Sequence, residues 1–263
     1  MSVLPAFAHH RATSIDDVLG RLSFDDVPYA GGTELLLAMK AGLFRPDSLI
    51  DLKRVPELAS ISADGDGVVI GGSVTHRDAH DDPTVREHLA VLASVLSRVG
   101  NPRVRASGTL GGNLCFAEPK SDVATILIAL GATVTLRSVR GTRTIPVEEF
   151  VIGPYTTVRD DDELLTGIRV PYDRSRAVYV KFQTMERPTV GVACSAGPSV
   201  RLVVGAVGGG PHLVEVETLD SIDPHAVAAE VEVVPDLTGS ERYKRHVTRV
   251  YVERAIEAME ATT

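Results

Sequence analysis

The sequence predicts an α+β fold, in which helices and strands are mixed without a regular alternation. The 263 residues contain 44% hydrophobic residues, which suits one large domain or two modest ones with a substantial core. Short apolar runs bounded by Gly and Pro are typical of strands, and several longer segments have helical periodicity. Because strands and helices do not alternate steadily, we expect an α+β fold and not a doubly wound parallel sheet.

The first 53 residues have the pattern helix, strand, glycine loop, helix, strand. A hydroxyl before two acids, Ser14 before Asp16 and Asp17, is typical of a capped helix start. A short strand over 26–30 leads into Gly31 and Gly32. The leucines of 33–39 predict a short helix that ends at Gly42, and 48–52 predicts the next strand.

The middle of the chain predicts a second group of elements, which includes an unusually glycine-rich stretch. We expect a strand over 68–72, a turn at 75–78, a helix over 83–98, a glycine-rich loop over 99–113, a buried helix over 122–130, a strand over 131–136, a hairpin turn at 140–143 and a strand over 164–170.

The composition becomes polar at 172–176, which predicts a domain boundary there. Four strands separated by Pro and Gly turns follow, over 178–183, 190–196, 200–207 and 212–217, and then two helices, over 223–232 and 240–259. The last helix is amphipathic, with Tyr243, Val247, Val250, Tyr251, Ala255 and Met259 close to one face.

Composition excludes several classes of function. The net charge of −8 argues against a general nucleic-acid binder, because no basic excess exists to replace phosphate counterions. The two cysteines, Cys115 and Cys194, form no CxxC pair, so the chain cannot supply the four thiolates of an ordinary iron–sulfur cluster. A cysteine-based zinc site is disfavoured for the same reason, and no metal site is predicted. We expect no membrane span and a cytoplasmic location.

The first glycine loop, defined as residues 28–35, lies at a predicted strand-to-helix junction. Free N–H groups and the positive end of a helix meet at such a junction and suit an anion. An ordinary tight turn is the alternative. The loop lacks the later glycine of GxGxxG and the Gly-Lys-Ser/Thr of a Walker A motif, which disfavours a nicotinamide Rossmann site and a nucleotide triphosphatase.

The second glycine segment, defined as Thr109–Asn113, suggests that both loops hold one ligand with two phosphates or an extended body. The Asp122 carboxylate would suit a ribose hydroxyl, or would simply stabilise a helix N-terminus. Arg103 and Arg105 flank this segment, where they would steer phosphates, contact a partner chain or lie as surface charge.

With these residues in place, the chain resembles the FAD-binding medium subunit of the molybdenum hydroxylases, the xanthine dehydrogenase and carbon monoxide dehydrogenase group. The resemblance covers nearly the whole chain in order and spacing. It rests on the segments 30–36, 45–52, 101–113, 119–132, 153–154, 163–171, 179–181, 239–246 and 254–255.

The resemblance implies a PCMH-type FAD-binding fold: two α/β subdomains, at 1–53 and 54–173, and a small C-terminal α+β domain at 174–263. It implies a non-covalently held FAD, with the first glycine loop at the pyrophosphate and Asp122 at the adenosine. The residues expected to bind the cofactor are Pro28, Tyr29, Ala30, Gly31, Gly32, Thr33, Glu34, Leu35, Thr75, Val99, Asn101, Arg103, Thr109, Leu110, Gly111, Gly112, Asn113, Asp122, Leu165 and Lys181.

The resemblance also implies a function: electron transfer through FAD from iron–sulfur clusters to NAD, oxygen or a quinone. The implied partners are a molybdopterin-binding large subunit and a 2Fe-2S small subunit. The segment 186–190 departs from the family pattern, because it lacks the acid that usually follows the basic residues and leads into the next strand, and it carries Pro188. A stand-alone FAD-dependent oxidoreductase or cyclisation catalyst is the alternative, and a binding module without flavin is a third hypothesis. No catalytic residue is assigned.

Overall fold

The computed structural model describes residues 4–174 and 176–262. Within these residues the strands form sheets of three, five and four strands and one two-stranded ribbon. The strands are β1 (Ala8–Arg11), β2 (Asp26–Tyr29), β3 (Ser48–Asp51), β4 (Ile61–Ala63), β5 (Gly67–Gly71), β6 (Thr133–Ser138), β7 (Gly141–Pro146), β8 (Val151–Gly153), β9 (Thr156–Thr157), β10 (Leu164–Pro171), β11 (Arg176–Phe182), β12 (Val190–Ala196), β13 (Val200–Gly205) and β14 (His212–Val216).

Most of the helices are short, and the last is much longer than the others. They are α1 (Ile15–Leu19), α2 (Leu35–Lys40), α3 (His76–Asp81), α4 (Pro83–His88), α5 (Ala90–Leu96), α6 (Pro102–Ser107), α7 (Leu110–Phe116), α8 (Asp122–Ala129), α9 (Val147–Phe150), α10 (Pro224–Glu230) and α11 (Glu241–Ala261). No helix of the described residues is both long enough and apolar enough to cross a bilayer.

The first sheet is parallel, with strand order β1-β3-β2. Its strand β1, which the sequence did not predict, pairs with β3 along its whole length. As predicted, Ser14 caps α1, accepting a hydrogen bond from the Asp17 N–H at 3.1 Å. Because β2 ends at Tyr29, the first glycine loop leaves directly from the end of this sheet.

The second sheet is antiparallel, with order β4-β5-β10-β6-β7, and it includes the predicted hairpin between β6 and β7. Helix α8 is buried along its entire length. It packs against β12 and β13 of the third sheet and against α5, α7 and α9, and it shares one core with the strands of the second sheet. The helix is therefore apolar on all its faces, with little periodicity.

The third sheet is an antiparallel meander, β11-β12-β13-β14, covered by α10 and α11. The predicted amphipathic helix is confirmed: Val247, Ala255 and Met259 of α11 face the core of this sheet. Tyr243, expected on the same face, is 42% exposed. The domain boundaries at 53/54 and 173/174 fall between sheets and stay a prediction; Ser175 lies outside the described residues.

Three local predictions are wrong, two because a side-chain cap starts a helix and one because a residue leaves helical geometry. The predicted turn at 75–78 is the start of α3, capped by Thr75. The predicted helix over 83–98 is two helices, because Leu89 leaves helical geometry between α4 and α5. The predicted loop over 99–113 contains α6, which Asn101 caps with Pro102 in its first turn, and the start of α7.

Candidate functional site

The first glycine loop presents a run of free backbone donors. Among residues 4–174 and 176–262, no protein acceptor pairs with the N–H groups of Gly31 to Leu35. Gly32 has φ +65°, which favours glycine, and its carbonyl accepts the first helical bond, from Leu36 N–H. Glu34, at the N-cap position of α2, makes no capping bond. Five consecutive amides without a protein acceptor among the described residues, beside a helix N-terminus, are donors that suit an anion.

The second glycine segment is the first turn of α7. Thr109 caps the helix by accepting a hydrogen bond from Gly112 N–H at 3.0 Å. Asn113 accepts a hydrogen bond from the Ser121 hydroxyl at 2.6 Å. Two side chains predicted to bind the cofactor therefore already make bonds within the protein.

The first glycine loop, residues 107–113 (which include the second glycine segment) and residues 72–76 meet backbone to backbone; we call this the glycine junction. A Cβ at Gly31 would lie 2.0 Å from Ser107 O, and a Cβ at Gly111 would lie 2.5 Å from Gly72 O. Backbone hydrogen bonds join the same segments, from Leu110 N–H to Val74 O (3.1 Å) and from His76 N–H to Gly108 O (3.0 Å). Thr75 and Thr109 form an isolated antiparallel β-bridge between them. The glycines are thus required for this close approach.

His76 lies buried beside the glycine junction, with 2% of its surface exposed. Its Nδ1 has no hydrogen-bond partner among the described residues. Burial, and the nearby charge of Arg105, lower the pKa of His76 to about 4, so the ring is neutral at physiological pH.

Asp122 and Lys181, predicted separately as cofactor residues, lie together at the contact between α8 and β11. The Lys181 ammonium donates to Asp122 Oδ2 at 2.7 Å, and the Tyr179 hydroxyl donates to Asp122 Oδ1. Burial, followed by the Asp122 charge, raises the pKa of Tyr179 well above its usual value, so the hydroxyl keeps its proton. Sequence reasoning missed Tyr179, although its spacing of two from Lys181 places both on one face of β11.

The remaining predicted residues divide by exposure. The side chains of Leu110 and Leu165 are buried in the core, so a ligand would meet mainly their backbone, whereas Val99 is half-buried at the core edge. Asn101 and Thr75 cap helices, and Arg103 is exposed. The residues of the first glycine loop that are half-buried are Pro28, Tyr29, Ala30, Gly31, Gly32, Thr33, Glu34 and Leu35.

The two cysteines are unreactive thiols. Burial raises the pKa of Cys115 to about 11 and that of Cys194 to about 12, so both stay protonated thiols. Within the described part of the chain, no group of three or more His, Cys, Asp or Glu side chains is arranged to hold a metal ion.

Comparison with known proteins gives one consistent family. Residues 5–173 match the family described as "FAD binding domain in molybdopterin dehydrogenase". The carbon monoxide dehydrogenase medium chain of Hydrogenophaga pseudoflava is 36% identical over 170 residues, covering 64% of this chain and 59% of that one. The nicotine 6-hydroxylase medium subunit of Paenarthrobacter nicotinovorans is 31% identical over 281 residues, covering 99% of each chain.

Solved structures extend the likeness to the whole fold. A chain of the reconstituted CO dehydrogenase from Oligotropha carboxidovorans superposes with a TM-score of 0.92 at 26% identity, covering 99% of this chain and 100% of that one. The predicted α+β, PCMH-type fold is therefore confirmed.

The residues present fit FAD, because its pyrophosphate needs a row of donors and the first glycine loop has five amides with no acceptor in the described part of the chain. At the glycine junction the glycines leave the backbone without side chains, which suits the close approach of a long cofactor. The chain binds FAD and belongs to the family of FAD-binding medium subunits of the molybdenum hydroxylases, a family of oxidoreductases.

Proposed function

We propose that this chain carries electrons through FAD, from the iron–sulfur clusters of a partner subunit to an external acceptor, within a molybdenum hydroxylase complex. The relatives it matches are named as the medium chain or medium subunit of dehydrogenases and hydroxylases, which supports a partnership with a larger and a smaller chain. The expected partners are a molybdopterin-binding large subunit and a 2Fe-2S small subunit. A cytoplasmic location stays a prediction.

The glycine junction is the observation that carries the proposal. The free amides of Gly31–Leu35 would hold the pyrophosphate, and the close packing of Gly31 on Ser107 keeps α6 and α7 beside them. FAD supplies the redox chemistry when bound. The chain contributes a preorganised surface of hydrogen-bond donors. It also contributes the ion pair Lys181–Asp122, in which Asp122 would hold the Lys181 ammonium beside the cofactor.

The chain depends on other subunits for its electrons. Its two cysteines cannot supply the four thiolates of an ordinary iron–sulfur cluster, and both are protonated thiols. A separate chain must therefore carry the clusters, and the substrate pocket would lie on a third.

Purification of the tagged chain from its native host tests this proposal. We expect two further chains to co-purify, with molybdenum, iron and FAD in fixed ratios. Chemical reduction of the complex, followed by NAD, oxygen or a quinone, then identifies the acceptor from the rate of flavin reoxidation. Recovery of the chain alone, with FAD and its own turnover of a small molecule, would instead support the stand-alone oxidoreductase.

A further inference from the structure

Glu34 is an unusual residue for the start of a helix that faces an anionic cofactor. It occupies the N-cap position of α2 and belongs to the run of unpaired amides. A carboxylate at a helix N-terminus accepts hydrogen bonds from the free N–H groups there, and it competes with any other anion for these donors. Here the Glu34 carboxylate makes no capping bond and accepts a hydrogen bond from Arg187 at 2.8 Å.

Arg187 is held in this position from its other side. Its Nη1 lies 2.8 Å from Oε2 of Glu118, whose side chain is 12% exposed, and the same oxygen accepts a hydrogen bond from the Tyr155 hydroxyl at 3.0 Å. Glu118 follows directly after α7, because Ala117 ends that helix in the left-handed conformation. One guanidinium therefore joins the start of α2 to the end of α7.

The segment that carries Arg187 has its own internal support. Residues 183–189 connect β11 to β12 of the third sheet. They extend toward the first glycine loop, because Arg187 of this turn contacts Glu34. The Gln183 amide donates to the carbonyls of Met185 (2.8 Å) and Glu186 (3.0 Å), which closes the turn. The turn thus presents Arg187 across the boundary between sheets.

We propose that Arg187 is a positioning residue that neutralises Glu34 and holds its carboxylate away from the amides of the first glycine loop, so that these amides stay available to the pyrophosphate of FAD. Without Arg187, the carboxylates of Glu34 and Glu118 lose their shared cation, and Glu34 becomes a competing anion at the phosphate site. The inference rests on the proposed placement of the pyrophosphate at residues 28–35.

Charge-rescue variants of the full chain, stripped of FAD and titrated with FAD by fluorescence, test this role. We expect Arg187→Gln to weaken FAD binding about tenfold, the effect of one charge-assisted interaction. Glu34→Gln in the Arg187→Gln background should restore affinity to within about twofold of the wild type, whereas Glu118→Gln in that background should not. Restoration identifies a competing charge, which a purely structural role of Arg187 would not produce.

Two further variants keep the test decisive. Arg140→Gln is the matched control, because Arg140 also bridges two carboxylates, Asp160 and Asp162, but in a hairpin that contributes nothing to the glycine junction. If Arg187→Gln does not fold, the FAD affinity of the single variant Glu34→Gln tests the role of Arg187 instead. It leaves the Arg187–Glu118 pair intact and should tighten FAD binding about twofold to threefold.

Wild-type affinity in Arg187→Gln, failure of Glu34→Gln to restore binding, or weaker FAD binding in the single variant Glu34→Gln would each overturn the inference. Gly31→Ala separates this failure from failure of the pyrophosphate placement. If Gly31→Ala loses FAD while Arg187→Gln keeps it, only the role of Arg187 is wrong. If both variants keep FAD, the placement itself is wrong.

Discussion

Replacement of Gly31 by Ala probes the glycine junction with a single methyl group. The added Cβ would lie 2.0 Å from the carbonyl oxygen of Ser107, 2.6 Å from its carbon and 2.8 Å from Cα of Gly108. All three atoms belong to the backbone, so no rotamer change relieves the overlap. The first glycine loop and the end of α6 must separate by roughly 1 Å or more before the contact becomes tolerable.

This separation should lower both the stability of the fold, through overpacking, and the affinity for FAD, through weaker contacts with the phosphates. We expect the free energy of unfolding to fall by about 1–3 kcal/mol. Displacement of the amides of Gly31–Leu35 weakens hydrogen bonds to charged oxygens, each worth about 1.5–3 kcal/mol, so FAD affinity should fall by about tenfold or more.

Two measurements check this prediction: urea unfolding of the apo-protein, and FAD titration of the folded variant. Gly153→Ala is the matched control, because a Cβ at Gly153 meets nothing within 4 Å. We expect this control to match the wild type in FAD affinity. Wild-type stability and wild-type FAD affinity in Gly31→Ala would refute the argument that backbone contact builds the site.

Three other variants test separate parts of the molecule. Gly112→Val should abolish FAD retention after gel filtration, because a Cβ there lies 2.8 Å from the capping hydroxyl of Thr109; normal flavin content would contradict the two-loop arrangement. Tyr179→Phe should lower the free energy of unfolding in urea by about 1–2 kcal/mol, because Asp122 loses a buried donor. Tyr172→Phe is the matched control and should change urea unfolding little, because the Tyr172 ring packs on His88 and its hydroxyl makes no hydrogen bond among the described residues. His76 has a pKa of about 4 when folded and 6.5 when unfolded, so stability should fall by up to about 3 kcal/mol as the pH drops from 6.5 to 4. The free energy of unfolding, measured by urea titration at each pH across this range, should fall more steeply in the wild type than in His76→Leu. The same pH dependence in both proteins would contradict the prediction.

The pH prediction has a definite sign. Between pH 4 and 6.5 the unfolded chain takes up a proton on His76 and the folded chain does not, so protons favour unfolding. Above this window His76 is neutral in both states and contributes no slope.

Local patterns were sufficient for the third sheet and its covering helices. Apolar segments between Gly and Pro turns predicted β11 to β14, and helical periodicity predicted α11. These elements are regular, and sequence neighbours form their contacts. The same approach failed at 75–78, where Thr75 caps a short helix in a segment predicted as a turn. It also failed at 99–113, where Asn101 and Thr109 cap short helices within a segment whose glycines suggested a loop.

The sequence by itself determined the family, the cofactor and the two glycine segments, because these depend on residue types in a fixed order. Only the tertiary structure decided which partner each side chain uses. Asp122 bonds Tyr179 and Lys181, and Arg187 reaches Glu34 from another sheet. Those contacts join residues far apart in the chain, and their geometry follows from how α8 and the turn 183–189 pack between sheets, which no local pattern records.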